Sequence, residues 1–90
     1  MIVKYFATIR TYTGENELRV EDPPATLGPL LVALAARYGR PFRRAVFAGA
    51  ELSPEIIILV SGRNVVYSGR LEAPLAEDDE VSIFPMVAGG

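Results

Sequence analysis

The chain closes on Phe84-Pro85-Met86-Val87-Ala88-Gly89-Gly90, where two residues without side chains precede a terminal carboxylate. Glycine lacks Cβ, so the last two positions accept almost any backbone angle and present a thin profile. Such an end can thread a narrow channel and deliver its α-carboxylate to another protein's active site. A frayed end without consequence is the alternative, because most termini are poorly ordered. The stretch Glu80-Val81-Ser82-Ile83-Phe84 alternates and is rich in β-branched residues, which predicts a strand running into the tail with no polar linker. Pro85 has no backbone donor and is expected to end ordinary ladder pairing.

Other chemistry is scarce. The chain has no cysteine and no histidine. That removes disulfides, zinc–thiolate sites, thiol nucleophiles and imidazole acid–base catalysis from its own repertoire. Glu77-Asp78-Asp79-Glu80 groups carboxylates, but not at the spacing of a calcium loop, so a solvated turn is the simpler reading. Arg37, Arg40, Arg43 and Arg44 form a basic cluster that suits either an anionic partner or a helix C-terminus, where cations are favoured by the helix dipole. Ser61-Gly62-Arg63-Asn64 has a glycine turn but none of the phosphate-loop pattern. The net charge of −2 gives no electrostatic reason to expect nucleic acid.

The elements that must position the tail follow from periodicity. Ninety residues, half of them apolar, support one domain with a real core. No apolar run is long enough to span a bilayer, and Met1-Ile2-Val3-Lys4 lacks a signal peptide's apolar region, so a cytoplasmic protein is expected. Ile2 to Arg10 alternates, predicting a strand with Val3, Tyr5, Ala7 and Ile9 buried. A turn at Thr13-Gly14-Glu15-Asn16 leads to a return strand over Glu17–Val20. Asp22-Pro23-Pro24-Ala25 then breaks the chain. Thr26 is an N-cap candidate whose hydroxyl would accept from a free helix amide, and Pro29 suits a first turn. Leu27, Leu30, Leu31, Leu34 and Tyr38 recur at helical spacing, with Gly39 to cap the helix and Pro41 to stop it.

Arg43–Phe47 is expected as a short helical turn. Glu55–Val60 reads as a largely buried strand, and Val65-Val66-Tyr67 as a short strand after the turn at 61–64. Leu71 and Leu75 are expected to plug the irregular stretch that follows. The order β-β-α-turn-β-β-β needs the helix laid across a mixed sheet, with the first and last strands as parallel neighbours. That is a β-grasp arrangement of the ubiquitin type, an α+β fold with a mixed sheet of four to five strands on one main helix.

At this level the sequence resembles the MoaD/ThiS-like ubiquitin-like sulfur carriers, most nearly the small subunit of molybdopterin synthase. Three stretches carry the resemblance: Val3–Arg10, Ile58–Val65 and the closing Asp78–Gly90. Ser61 stands where that family usually has Asn, and Met86 where a second proline is common. The resemblance implies a β-grasp domain over residues 1–84, a flexible exposed tail over 85–90, and no catalytic residues within the chain. It implies that Gly90 is adenylated by a ubiquitin-activating-type adenylyltransferase (MoeB/ThiF-like) using ATP and magnesium, with no cofactor bound by this chain. A sulfur donor enzyme then converts the adenylate to a thiocarboxylate. The synthase large subunit (MoaE-like) takes the tail and places the sulfur in a pterin precursor. With no cysteine available, carried sulfur has to sit on the C-terminus.

Strand parity then marks a partner surface. If Val81 and Ile83 face the core, Ser82 and Phe84 face outward, as does Phe6, and adjacent first and last strands would join the two rings beside the tail. Phe6, Phe84, Pro85, Met86, Val87, Ala88 and Gly89 are the expected partner-binding residues, with Gly90 as the reactive one. Three other functions stay open: sulfur transfer in thiamine or transfer-RNA thiolation, conjugation through Gly90 to a target lysine, and a non-reactive interaction domain. Neither a membrane nor a direct nucleic-acid partner is expected.

Overall fold

The computed structural model describes residues 1–86. A five-stranded sheet runs in the order β2-β1-β7-β5-β6, from strands β1 (Ile2–Tyr5), β2 (Glu17–Arg19), β5 (Ile56–Val60), β6 (Arg63–Asn64) and β7 (Glu80–Pro85). Helices α1 (Thr8–Thr13), α2 (Leu27–Tyr38) and α3 (Arg40–Val46), a small β3–β4 hairpin (Phe47–Ala48, Glu51–Leu52) and two 3₁₀ turns complete it. β1 pairs parallel with β7 and antiparallel with β2; β7 also pairs antiparallel with β5. This is the β-grasp topology, with the last strand held between two neighbours. Among the described residues, no helix is long and apolar enough to cross a membrane.

The core lies between one sheet face and α2. Val3, Tyr5, Ile58, Val81 and Ile83 project from the sheet against Leu27, Leu30, Leu31 and Leu34. The helix occupies the span its leucine spacing predicts. Its cap differs: Thr26 stands at the N-cap in extended geometry but its side chain makes no capping bond. The Leu27 amide instead donates to the Ala73 carbonyl at 3.0 Å, and Leu75 N–H to Ala25 O at 2.8 Å. The tertiary acceptor serves the N1 amide, and the N3 residue, Pro29, has no N–H for the Thr26 hydroxyl to accept.

Four other expectations need correction. The first strand stops at Tyr5, because Ala7 takes φ 53° and ψ −130° and turns the chain into α1. Ile9 is still buried, from a helix, while Ala7 is exposed. Pro41 does not stop helical structure; it falls in the first turn of α3, where its missing donor costs nothing. Val65–Tyr67 is a 3₁₀ turn, since the Asn64 side chain accepts from Val66 N–H at 3.0 Å and curls the backbone. Pro85 remains in register opposite Ile56, and Met86 N–H donates to Glu55 O at 3.0 Å, so the ladder continues past the proline. β7 is bonded there through residues that still have donors.

Two polar networks lock the edges. Tyr5, 2% exposed, donates its hydroxyl to Tyr38 at 3.1 Å, and Tyr38 donates to Glu15 at 2.6 Å. Burial, then the Tyr38 hydrogen bond, pushes the Tyr5 phenol far above its ordinary range. Burial and the bond to Glu15 push Tyr38 up as well. At the other end, Ser61 donates to Asp79 at 2.7 Å and accepts from Glu80 N–H at 3.3 Å, and Asp79 accepts from Ala76 N–H at 2.7 Å. The Ser61 hydroxyl, followed by the Ala76 amide, holds the Asp79 carboxyl below its usual value.

Candidate functional site

Among the described residues, no layer covers the face of the sheet away from α2. Parallel register sets Ile2 beside Glu80 and Lys4 beside Ser82; antiparallel register sets Ile57 beside Phe84 and Leu59 beside Ser82. Side chains alternate along a strand, so Lys4, Ile57, Leu59, Glu80, Ser82 and Phe84 share this outer face. Phe6 follows the end of β1 but remains attached, its N–H donating to Ile83 O at 3.1 Å. Its ring, 40% exposed, meets Phe84 edge to face, with centroids 5.8 Å apart and planes at 86°. Strand parity alone anticipates this pair.

The two rings form one wall of an open, almost wholly apolar groove of about 450 Å³, lined by Phe6, Ala7, Leu59, Ser82, Phe84 and Pro85. Ser82, the cross-strand neighbour of Leu59, is the small residue of the lining. Phe6, Phe84 and Pro85 therefore come together. Met86 follows at 53% exposure and does not line the groove. Val87, Ala88, Gly89 and Gly90 lie outside the described residues. Ala7, Leu59 and Ser82 were not among the residues expected here. Leu59 was not legible: Ile56–Val60 is uniformly apolar and reads as largely buried, and only the structure shows Ile57 and Leu59 half-buried on the open face. Ala7 was not legible either, since its role depends on a turn with positive φ that an alternating sequence does not announce.

Charge frames the groove without entering it. Lys4 pairs with Glu80 at 3.2 Å across β1 and β7, a half-exposed pair of small energetic weight. Among the described residues, no group of acidic, histidine or cysteine side chains is placed to hold a metal ion. The arrangement offers a non-polar seat at the root of the chain's last segment, which suits recognition rather than bond-making.

A β-grasp sheet with an open apolar face beside its central C-terminal strand defines the ubiquitin-like carriers as a class. The family model described as "ThiS family" matches residues 3–90. The chain belongs to this family of ThiS/MoaD-like, ubiquitin-like sulfur carriers. It is 38% identical over 90 residues to small archaeal modifier protein 3 of Haloferax volcanii, with 98% of this chain and 96% of that protein covered. A chain of the Amycolatopsis orientalis BexX/CysO complex superposes with a TM-score of 0.83 at 31% identity, covering 99% of this chain and 98% of that one. A Pyrococcus furiosus protein provisionally named molybdopterin converting factor subunit 1 superposes with a TM-score of 0.75 at 30% identity, covering 96% and 95%.

Proposed function

We propose that this chain carries sulfur as a thiocarboxylate on Gly90 and donates it for molybdopterin synthesis. A carboxylate is a poor electrophile at neutral pH. An oxygen of the Gly90 carboxylate would attack the α-phosphorus of ATP, bound with magnesium by an adenylyltransferase of the ubiquitin-activating type, releasing pyrophosphate. A sulfur nucleophile supplied by a donor enzyme would then displace AMP, forming the C–S bond as the C–O bond to AMP breaks. The outer-face groove seats the activating enzyme first and the synthase large subunit later. Enclosure of the tail in those partners keeps the activated acyl group from water.

The observation that carries the reading is the position of β7. It is bonded on both sides, and its outward Phe84 forms the groove with Phe6 at the root of the tail. A partner seated there receives the last residues from a fixed origin. The test is incubation of the purified chain with its cognate adenylyltransferase, ATP and sulfide, followed by intact-mass spectrometry. The expected product is heavier by the difference between sulfur and oxygen, and a form lacking Gly90 stays unchanged. An unchanged full-length chain, with an enzyme active on another carrier, would refute the proposal.

The likeness to small archaeal modifier protein 3 favours a second use of the same activated end, transfer to an amine of another protein. Conjugates of higher mass, linked through Gly90 and recovered from cells, distinguish this use from sulfur transfer to a small acceptor.

A further inference from the structure

A second surface borders the apolar groove at Pro85. α3 and its flank read Arg-Pro-Phe-Arg-Arg-Ala-Val-Phe over residues 40–47, three cations with no acid. Phe42 and Val46 face the core, so Arg40, Arg43 and Arg44 are left exposed on the other side. The ion pairs among the described residues are Lys4–Glu80 and Arg37–Glu15, so none of the three meets a carboxylate there. Arg43 is held over the Phe47 ring, its guanidinium carbon 5.6 Å from the centroid, which limits its freedom before any partner arrives. Arg44 lines a crevice with Glu55, Ile56 and Pro85. Pro85 lines the apolar groove as well. The two surfaces therefore share an edge at the residue from which the last segment departs.

We infer that Arg40, Arg43 and Arg44 form an electrostatic docking face for an acidic protein surface, the carboxylate-bearing rim of the enzyme that receives the tail. This rests on the carrier reading above and names the partner's chemistry at a face separate from the groove. Any protein enclosing the tail has to approach Pro85, and in doing so comes within reach of Arg44. Guanidiniums suit carboxylates through paired N–H donors. A nucleic acid fits less well. Glu55 shares the crevice with Arg44, and the chain is net negative, so a continuous polyanion meets repulsion where a protein of mixed charge can adapt. Exposed charges of this kind act mainly on encounter rate and salt dependence.

The experiment is ATP–pyrophosphate exchange by the cognate adenylyltransferase, with the full-length chain varied in concentration. The triple variant Arg40→Glu, Arg43→Glu, Arg44→Glu is expected to raise KM for the carrier about tenfold or more at low ionic strength, with kcat near wild type. The difference should shrink to about twofold toward 1 M salt, where the Debye length is only about 3 Å. The three Arg→Lys changes should keep most of the wild-type KM, since charge is retained. Circular dichroism of all variants should match wild type; the Glu variant's melt should fall by a few degrees, since Arg43 and Arg44 lie in the last turn of α3, and all assays are run well below it. An unchanged KM and salt slope, while wild type is activated normally, overturns this inference and leaves the carrier reading intact. Failure of wild type to support exchange with an enzyme active on another carrier removes both. Transfer RNA retarded by wild type and released by the Glu variant would overturn the assignment to an acidic protein.

Discussion

Ser61 and Tyr38 show how single polar atoms hold this small fold in register. Ser61 and Gly62 form the two-residue connection between β5 and β6, with φ of 47° and 85°, the two positive angles of a type I′ turn. Serine is unusual there, and its hydroxyl offsets the strain by bonding Asp79 and the Glu80 amide. Ser61→Ala keeps the strain and loses both bonds, so urea unfolding should show a loss of about 1 kcal/mol at unchanged m-value. The loss should depend on pH. Asp79 binds its proton less readily folded than unfolded, so its stabilisation is present at neutral pH. That stabilisation fades as pH falls below the ordinary carboxylate value of about 4 and through the lower folded value. The gap between wild type and Ser61→Ala should therefore narrow in acid; a gap constant down to about pH 2 would contradict the pairing. In the other network, Tyr38→Phe strands the buried Tyr5 hydroxyl and should cost about 1–3 kcal/mol. Tyr5→Phe should cost less, since Tyr38 still donates to Glu15. Equal losses for the two would mean that the order of donation along the chain is not what stabilises it.

Among the elements, α2 was the most legible, because five apolar positions at helical spacing leave one solution for burial. The strands were legible in their alternation and not in their ends. Ile2–Arg10 keeps period two beyond Tyr5, yet Ile9 reaches the core equally well from α1, so burial alone does not choose between strand and helix there. Thr26 does take the N-cap position, but Pro29 at N3 offers its hydroxyl no donor, and periodicity does not reveal the tertiary bond from Leu27 to Ala73 that ties down the helix start. The same contact sets up a test. Gly28 lies in the first turn of α2, where Gly→Ala in an exposed helix would stabilise by about 1 kcal/mol. Here a Cβ would stand 3.1 Å from the Leu71 carbonyl oxygen. The 3₁₀ turn carrying Leu71 is tied to the start of the helix through Leu27–Ala73 and Ala25–Leu75 hydrogen bonds, so it has little room to retreat. Gly28→Ala should therefore lower the unfolding midpoint. A raised midpoint would show that the turn moves freely and that helix propensity governs the site.

For the whole molecule, the proposed function requires that one sheet face stay open to partners. The aromatic half of that face was readable from parity once β1 and β7 were taken as neighbours. Its other half was not, because Leu59 and Ser82 become neighbours only after β5 pairs with β7. Depth and apolar area make different demands, and they can be separated. Phe84→Ala removes area. Fully burying an exposed phenylalanine is worth about 1.5–3 kcal/mol, but Phe84 is already largely buried in the free chain, so a partner covers only about a third of that surface or less, and binding to the activating enzyme should weaken by about two- to sixfold. Ser82→Tyr instead adds apolar surface while filling groove space that a serine leaves open. A flat contact would tolerate the tyrosine or gain from it; an inserted partner side chain would be excluded. An inserted contact predicts exclusion, with titration calorimetry showing a loss of about tenfold or more beside an unchanged melting profile. Tighter binding by Ser82→Tyr would mean that partners lie across this face without entering it, and the role of the Phe6–Phe84 wall would reduce to the area of its rings.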